Sequence, residues 1–272
     1  MSKATITNSD SIDRTSPSAK KRLLALNREV VECRVCPRLV NYRESVAKVK
    51  KKQFLNWNYW GKPVPGFGDI EASILVVGLA PAPHGGNRTG RVFTGDRSAD
   101  FLVEAFFEAG YSNQPRSVDA NDGLELHGVY MTAAVKCVPP DNKPTSEEIS
   151  NCAHFLKSEL EICNPSRVIL CLGQLAYRST MSLLKQDNLF SDKIPKFEHG
   201  LEIGLSDGRK VFASYHPSPR NTQTGKLTMN MFGSLLQRIN RGLEQTSQFR
   251  RRILYPRESK LGSDLFRKSR SF

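Results

Sequence analysis

The sequence contains no continuous run of about 18 apolar residues, the minimum length for a helix that spans a membrane. Residues 1–8 also lack the apolar stretch of a secretory signal. Both absences argue against a membrane or secreted protein, so we expect a cytoplasmic protein without a membrane partner. A reducing cytoplasm disfavours disulfide bonds, so the six cysteines are predicted either to bind metal or to pack in the core.

Acidic residues are few, since 27 Asp and Glu stand against 40 Lys and Arg, which gives a formal net charge of +13. An excess of this size favours a polyanionic partner such as nucleic acid. Part of the excess lies in the C-terminal tail, where it is equally compatible with a solvated, mobile chain end. The basic residues of that tail include Arg250, Arg251, Arg252, Lys260, Arg267, Lys268 and Arg270.

The composition divides the chain into three segments. Residues 1–17 are rich in Ser, Thr and Asp and poor in apolar residues, which predicts a disordered tail. Residues 18–242 carry regular hydrophobic patterns and are predicted to form a single domain. Residues 243–272 form the basic tail.

Strand and helix patterns alternate within the predicted domain. Short apolar runs rich in β-branched residues predict buried strands over 73–78, 128–135, 167–172 and 210–215. Helical patterns cover 18–33, 38–52, 97–109, a segment opening at Thr145, a segment after Gly173, and 227–242. The alternation predicts an α/β fold whose mostly parallel sheet is covered by helices on both faces. Ligands of such sheets bind at the carboxyl ends of the strands, so the loops after Val77 and Tyr215 are predicted to line one cleft.

Four cysteines form two pairs that suit a metal centre. Cys33 and Cys36 make a C-x-x-C pair beside a proline, while Cys137 follows a strand and Cys152 lies on the next helix. Four thiolates fit either a tetrahedral zinc ion or a cluster of four irons, and spacing does not separate the two. The alternative is four unrelated buried thiols, which the C-x-x-C spacing argues against.

The other two cysteines are predicted to pack rather than to bind metal. Cys171 lies inside an apolar strand, and Cys163 precedes an Asn-Pro pair.

The loop over 78–96 contains five glycines and no Walker lysine pattern, so it is not a P-loop. Phe93 is an apolar side chain in this polar loop, and a flat aromatic ring can stack on a nucleobase. The alternative role for Phe93 is an anchor that holds the loop to the core.

The loop over 216–225 opens with His216 at the end of a predicted strand, a position that favours a functional histidine. Prolines on both sides of Ser218 stiffen the segment, and Arg220 is suited to insertion beside a base step.

Long motifs in these loops resemble those of the family 5 uracil-DNA glycosylases. Gly-Leu-Ala-Pro-Ala at 78–82 with His-Gly-Gly-Asn-Arg-Thr-Gly-Arg-Val-Phe-Thr-Gly-Asp at 84–96 resembles their first motif, and His-Pro-Ser-Pro-Arg-Asn at 216–221 their second. The segments 132–145 and 63–69 are also similar, and the resemblance extends over about residues 32–236.

The resemblance implies a three-layer α/β/α sandwich around a four-stranded, mostly parallel sheet. It also implies that Cys33, Cys36, Cys137 and Cys152 hold a structural 4Fe-4S cluster.

By the same resemblance, Phe93 stacks on a flipped base and His216 faces the base oxygen. Asn87 occupies a polar position that is linked to catalysis and is aspartate in some relatives. The pair at 219–220 is Pro-Arg where many relatives have Gln-Gln. The predicted catalytic residues are thus His216 and Asn87, and the predicted substrate-binding residues are Ala80, Phe93, Arg220 and Asn221.

These residues predict a monomeric DNA-repair enzyme that hydrolyses the bond between uracil and deoxyribose. Leu79, Ala80 and the stretch 132–134 offer no amide that would select uracil, so hypoxanthine and other deaminated bases are also expected substrates. One alternative is a non-catalytic DNA-binding module with a four-cysteine zinc site. Another is a nucleotide hydrolase, although the glycine-rich loop lacks an acidic metal cluster and a phosphate-binding lysine.

Overall fold

The computed structural model of the protein describes residues 17–163 and 167–244. Its centre is one six-stranded sheet with the strand order β1-β3-β2-β4-β6-β5. The strands are β1 (Phe67–Gly68), β2 (Ile74–Gly78), β3 (Val129–Ala133), β4 (Val168–Leu172), β5 (Glu202–Gly204) and β6 (Lys210–Ser214). The inner strands β3, β2, β4 and β6 run parallel, whereas β1 and β5 pair antiparallel at the two edges.

The four parallel strands are the ones that the sequence predicts. The prediction of four strands in total was wrong, because the sheet also contains the two edge strands β1 and β5. These strands are two and three residues long. Strands this short are missed because they carry too few residues to show alternation.

The helices within the described residues lie before, between and after the strands. They are α1 (Pro17–Glu32), α2 (Pro37–Val49), α3 (Gly86–Thr89), α4 (Arg97–Glu108), α5 (Ser146–Ile162), α6 (Gln174–Gln186), α7 (Pro219–Gln223) and α8 (Met229–Glu244). The capping box that opens α5 is present, since Thr145 accepts the Glu148 N–H and the Glu148 side chain accepts the Thr145 N–H. No helix in the described ranges is long and apolar enough to cross a membrane.

Alternate residues of β2 point to opposite faces of the sheet and separate the core into two layers. Leu75 and Val77 pack in one cluster with residues of α1, α5 and α6. Ile74 and Val76 pack in the other with residues of α4 and α8. The arrangement is a three-layer α/β/α sandwich, as predicted.

Helix α2 ends at Val49, earlier than predicted, because Lys50 has a positive φ of 58°. The loops over 78–96 and 216–225 contain the short helices α3 and α7, which were predicted as irregular. The predicted tails fall almost entirely on residues 1–16 and 245–272, outside the described residues.

Candidate active site and cysteine cluster

Two predicted site residues lie over neighbouring strands at the carboxyl edge of the sheet. A Cβ on Gly78, the last residue of β2, would lie 2.6 Å from Cζ of Phe93. A Cβ on Gly173, which follows β4, would lie 3.2 Å from Cβ of His216. Because β2 and β4 are adjacent and parallel, Phe93 and His216 are brought to the same edge of the sheet. Glycine at both positions leaves room for these side chains.

Phe93 has a positive φ of 48°, which is uncommon for a bulky residue. Its side chain is half-buried and packs against the hydrophobic cluster that contains Val76. The ring is therefore anchored at one side, and the anchoring and stacking roles proposed from the sequence are compatible.

Burial lowers the pKa of His216 to about 4, so its imidazole is neutral at pH 7. The backbone around it is held by Asn221, whose Nδ2 donates to the His216 carbonyl oxygen at 2.8 Å. The Asn221 N–H also donates to the Ser218 carbonyl at 2.9 Å. Asn221 thus supports the loop through these two bonds, and its predicted contact with substrate stays a prediction.

Arg220 lies on α7 and is exposed. It lines a surface groove together with Ser218, Asn221, Thr224 and Lys226. The arginine is therefore at the protein surface beside His216.

Asn87 lies on α3 and is almost fully buried. Its Nδ2 donates to the Arg43 carbonyl at 3.2 Å, whereas its Oδ1 finds no hydrogen-bond partner among the described residues. A buried amide oxygen without a partner is unfavourable unless something else donates to it. The side chain is thus oriented by one bond, and its Oδ1 has no donor within the part of the chain that the structure describes.

Three of the four predicted metal ligands lie together. Cys36, Cys137 and Cys152 form a small buried cluster with Leu39 and Val135, against which Ala80 also packs.

Cys33 follows α1 and lies close enough to Cys137 for the two thiols to interact electrostatically. Arg43 connects them, since its Nη1 donates to the Cys137 sulfur at 3.0 Å and to the Cys33 carbonyl at 3.2 Å. The other two cysteines, Cys163 and Cys171, pack in the core cluster of α1, α5 and α6.

The comparisons with known proteins agree with this architecture. Residues 65–240 match the family model described as the uracil DNA glycosylase superfamily. The chain is 48% identical over 209 residues to the type-5 uracil-DNA glycosylase of Pyrobaculum aerophilum, covering 77% of this chain and 88% of that relative. It is 49% identical over 209 residues to the type-5 enzyme of Thermus thermophilus, covering 77% and 93%. The chain belongs to the type-5 uracil-DNA glycosylases.

A more distant relative is the type-4 uracil-DNA glycosylase of Thermotoga maritima, which is 35% identical over 156 residues, or 57% of this chain and 69% of that one. The family resemblance that the motifs predict is therefore confirmed.

The family implies an iron–sulfur cluster, and the candidate ligands in this type-5 member are Cys33, Cys36, Cys137 and Cys152. Burial raises the pKa of the Cys137 thiol and raises that of Cys152 to about 12. Both thiols would be protonated at pH 7 without a bound cation, and metal binding displaces such protons.

Arg43 is a buried cation beside the cysteines. Its side chain is 2% exposed, and its carboxylate neighbour is Glu44 at 4.0 Å, which is 46% exposed and also held by Arg34 at 2.6 Å. A buried cation requires a counter-charge. Thiolates at Cys137 and its neighbours would provide one, so the residues fit an anionic, cysteine-ligated centre.

The thiols are not arranged around a single ion. Over 17–163 and 167–244, no three His, Cys, Asp or Glu side chains converge on one metal position. Zinc needs its ligands at about 2.0–2.3 Å from one point. A cubane has four separate irons, each bound by its own thiolate, and does not need that convergence.

Sequence reasoning missed His199, which lies behind the His216 loop. The Tyr215 N–H donates to His199 Nδ1 at 3.4 Å, and the two rings stack with their centroids 5.4 Å apart. His199 precedes the short strand β5 and belongs to neither motif, so no local pattern marks it. It fixes the backbone directly before His216.

Proposed function

We propose that the chain flips uracil out of DNA, hydrolyses the bond between base and sugar, and leaves an abasic site. The position of Phe93 and His216 over adjacent strands is the observation that carries this proposal. The similarity to the type-5 uracil-DNA glycosylases of Pyrobaculum aerophilum and Thermus thermophilus supports it. A non-catalytic zinc module is not favoured, because the similarity to enzymes extends across 77% of the chain.

The proposed reaction moves the electron pair of the N-glycosidic bond onto the departing base. The flipped base stacks on Phe93, and a neutral His216 N–H donates to the base oxygen as negative charge develops there. A fixed donor at that position acts mainly on the transition state, because the charge is largest in that state. Water then attacks C1′ of the cationic sugar, and the proton that it loses neutralises the departing base anion.

Asn87 is proposed to orient the attacking water through Oδ1, the acceptor that has no partner among the described residues. Replacing Asn87 with Ala should slow base release under single-turnover conditions by about ten- to a hundredfold, with DNA affinity unchanged. The matched control is Asn41→Ala, which removes an exposed amide on α2. If the variant loses thermal stability or DNA affinity but keeps its rate, Asn87 only supports the fold.

The residues at the carboxyl end of β3 offer no group that would select one base, which predicts broad substrate use. Thr132 is buried, and its hydroxyl donates to Glu159 at 2.8 Å and accepts from Lys136 at 2.6 Å, so it does not select a base. Ala133 and Ala134 are buried and have no side-chain amide. A site without a selective hydrogen-bonding group discriminates weakly between bases of similar shape.

Duplexes that each contain one lesion, incubated without added cofactor, test both the activity and its breadth. We expect release of free uracil, and release of hypoxanthine within about a hundredfold of the uracil rate. Absence of uracil release would refute the proposed activity. Uracil release with no loss of hypoxanthine, xanthine or modified pyrimidines at high enzyme would refute only the breadth.

We also propose that Cys33, Cys36, Cys137 and Cys152 hold a 4Fe-4S cluster, which would brace the helices around it. The buried cluster of Cys36, Cys137 and Cys152 and the buried Arg43 that donates to Cys137 support this assignment. We further propose that residues 18–242 form a single domain. The protein would act on DNA as a monomer in the cytoplasm.

A further inference from the structure

A lysine-rich and aromatic segment joins α2 to β1. We define it as residues 48–62, the basic aromatic segment. It has no acidic residue, and the nearest acids along the chain are Glu44 and Asp69. Its lysines are Lys48, Lys50, Lys51, Lys52 and Lys62, and its aromatic residues are Phe54, Trp57, Tyr59 and Trp60.

The segment is packed onto the first motif through Arg88. The Arg88 guanidinium lies over the rings of both Phe54 and Trp57, 4.0 Å from each centroid, and the two rings meet edge to face. The same guanidinium donates to the carbonyls of His84 at 2.7 Å and Gly95 at 3.0 Å. An arginine that contacts two aromatic rings of the segment and is hydrogen-bonded to the first motif holds the segment in one position.

Backbone and side-chain bonds add to this attachment. The backbone N–H of Trp60 donates to the Arg88 carbonyl at 2.9 Å, and the backbone N–H of Gly61 donates to the Asn87 carbonyl at 3.0 Å. The Tyr59 hydroxyl bonds to His84 Nδ1 at 3.0 Å. The basic aromatic segment is thus a fixed extension of the loop that carries Asn87.

Four of its lysines face solvent: Lys48, Lys51, Lys52 and Lys62. None of the four has a carboxylate within salt-bridge distance among residues 17–163 and 167–244. Lys50 differs, because its Nζ donates to the Leu55 carbonyl at 3.1 Å. Leu55 and Trp60 are 57% and 37% exposed, so apolar surface is interleaved with the charge.

We propose that the basic aromatic segment binds the phosphate backbone of the substrate DNA beside the flipped nucleotide. Uncompensated lysines attract phosphates and release counterions. The exposed apolar side chains would lie against sugars or bases. Attachment to the Asn87 loop places this charge next to the site where the base must be held. The proposal rests on the proposed function and adds to it the part of the surface that holds the DNA strand.

The test uses a Lys48→Gln, Lys51→Gln, Lys52→Gln triple variant of the full chain. The matched control is Lys20→Gln, Lys21→Gln, Arg22→Gln, which removes three exposed charges at the start of α1. Binding to a duplex with an uncleavable 2′-fluoro-deoxyuridine is measured from about 50 to 200 mM salt.

The segment variant should lose at least about tenfold in affinity at low salt, and its log–log salt slope should fall by about 0.9 for each lost phosphate contact. Its single-turnover rate at saturating enzyme should match that of the unmodified protein, and the control should retain both affinity and slope. Unchanged affinity, or an equal loss in the control, would overturn the proposal. The binding measurement does not depend on cleavage, so a failure of uracil release in the unmodified protein would refute the activity without deciding this result.

Discussion

Replacing His216 with alanine is expected to slow uracil release by about a hundred- to a thousandfold under single-turnover conditions, with little change in DNA affinity. The expectation follows from its position over the end of β4, next to the strand that carries Phe93. The N–H bond to the base strengthens as charge develops, so its loss raises the barrier more than it weakens binding. The control is His127→Ala, which removes an exposed imidazole.

The pH dependence provides a second measurement on His216. Burial lowers its pKa to about 4, so the rate should show no step near the ordinary histidine value of about 6.5. The same burial makes the free energy of unfolding depend on pH, as it does for any base that is buried in its neutral form. Between pH 6.5 and about 4 the unfolded chain binds a proton that the folded chain excludes, so this contribution to folding is lost as the pH falls.

A different outcome would reassign the residue. If His216→Ala abolishes DNA binding while the chemical step keeps its rate, His216 anchors DNA and does not stabilise the leaving base.

Replacing Cys137 with alanine is expected to remove most of the iron from anaerobically purified protein and to bleach its broad visible absorption. The unmodified protein should contain about four irons per chain. Loss of one ligand also leaves Arg43 buried without the sulfur that accepts its hydrogen bond at 3.0 Å. An uncompensated buried cation is strongly destabilising, by about 3–5 kcal/mol in comparable cases. Thermal unfolding should therefore shift to a markedly lower temperature.

The matched control for this prediction is Cys171→Ala. Cys171 is also buried, but it lies in β4 within the hydrophobic core and away from the cluster of Cys36, Cys137 and Cys152. The control should keep its iron and colour. Its free energy of unfolding should fall by only about 1 kcal/mol, because the substitution leaves a small cavity. Colourless unmodified protein with one equivalent of zinc would contradict the cluster assignment.

Much of the site's outline was predictable because its signals are local. The parallel strands are continuous apolar runs, the α5 capping box spans four residues, and the two motifs are contiguous in sequence. The rule that ligands bind at the carboxyl ends of parallel strands then places His216 and Phe93 at one edge.

The supporting contacts were not predictable in the same way. Arg43 meets Cys137 across 94 positions of sequence, and its carbonyl receives the Asn87 amide across 44. No local pattern marks an arginine on an amphipathic helix as a buried partner of a thiol. Asn221 was predicted to face substrate, and only the folded loop shows its amide bonded to the His216 carbonyl.

The sequence by itself determined the α/β layering, the family, the two motif loops and the cysteines that suit a metal centre, since each depends on residue type and short-range spacing. The tertiary structure alone decided the state of the groups in and behind the site: the neutral His216, the Asn87 Oδ1 without a hydrogen-bond partner among the described residues, the buried Arg43 and the segment packed on Arg88. These properties depend on burial and on contacts between distant segments. They arise only when packing removes water and brings those segments together.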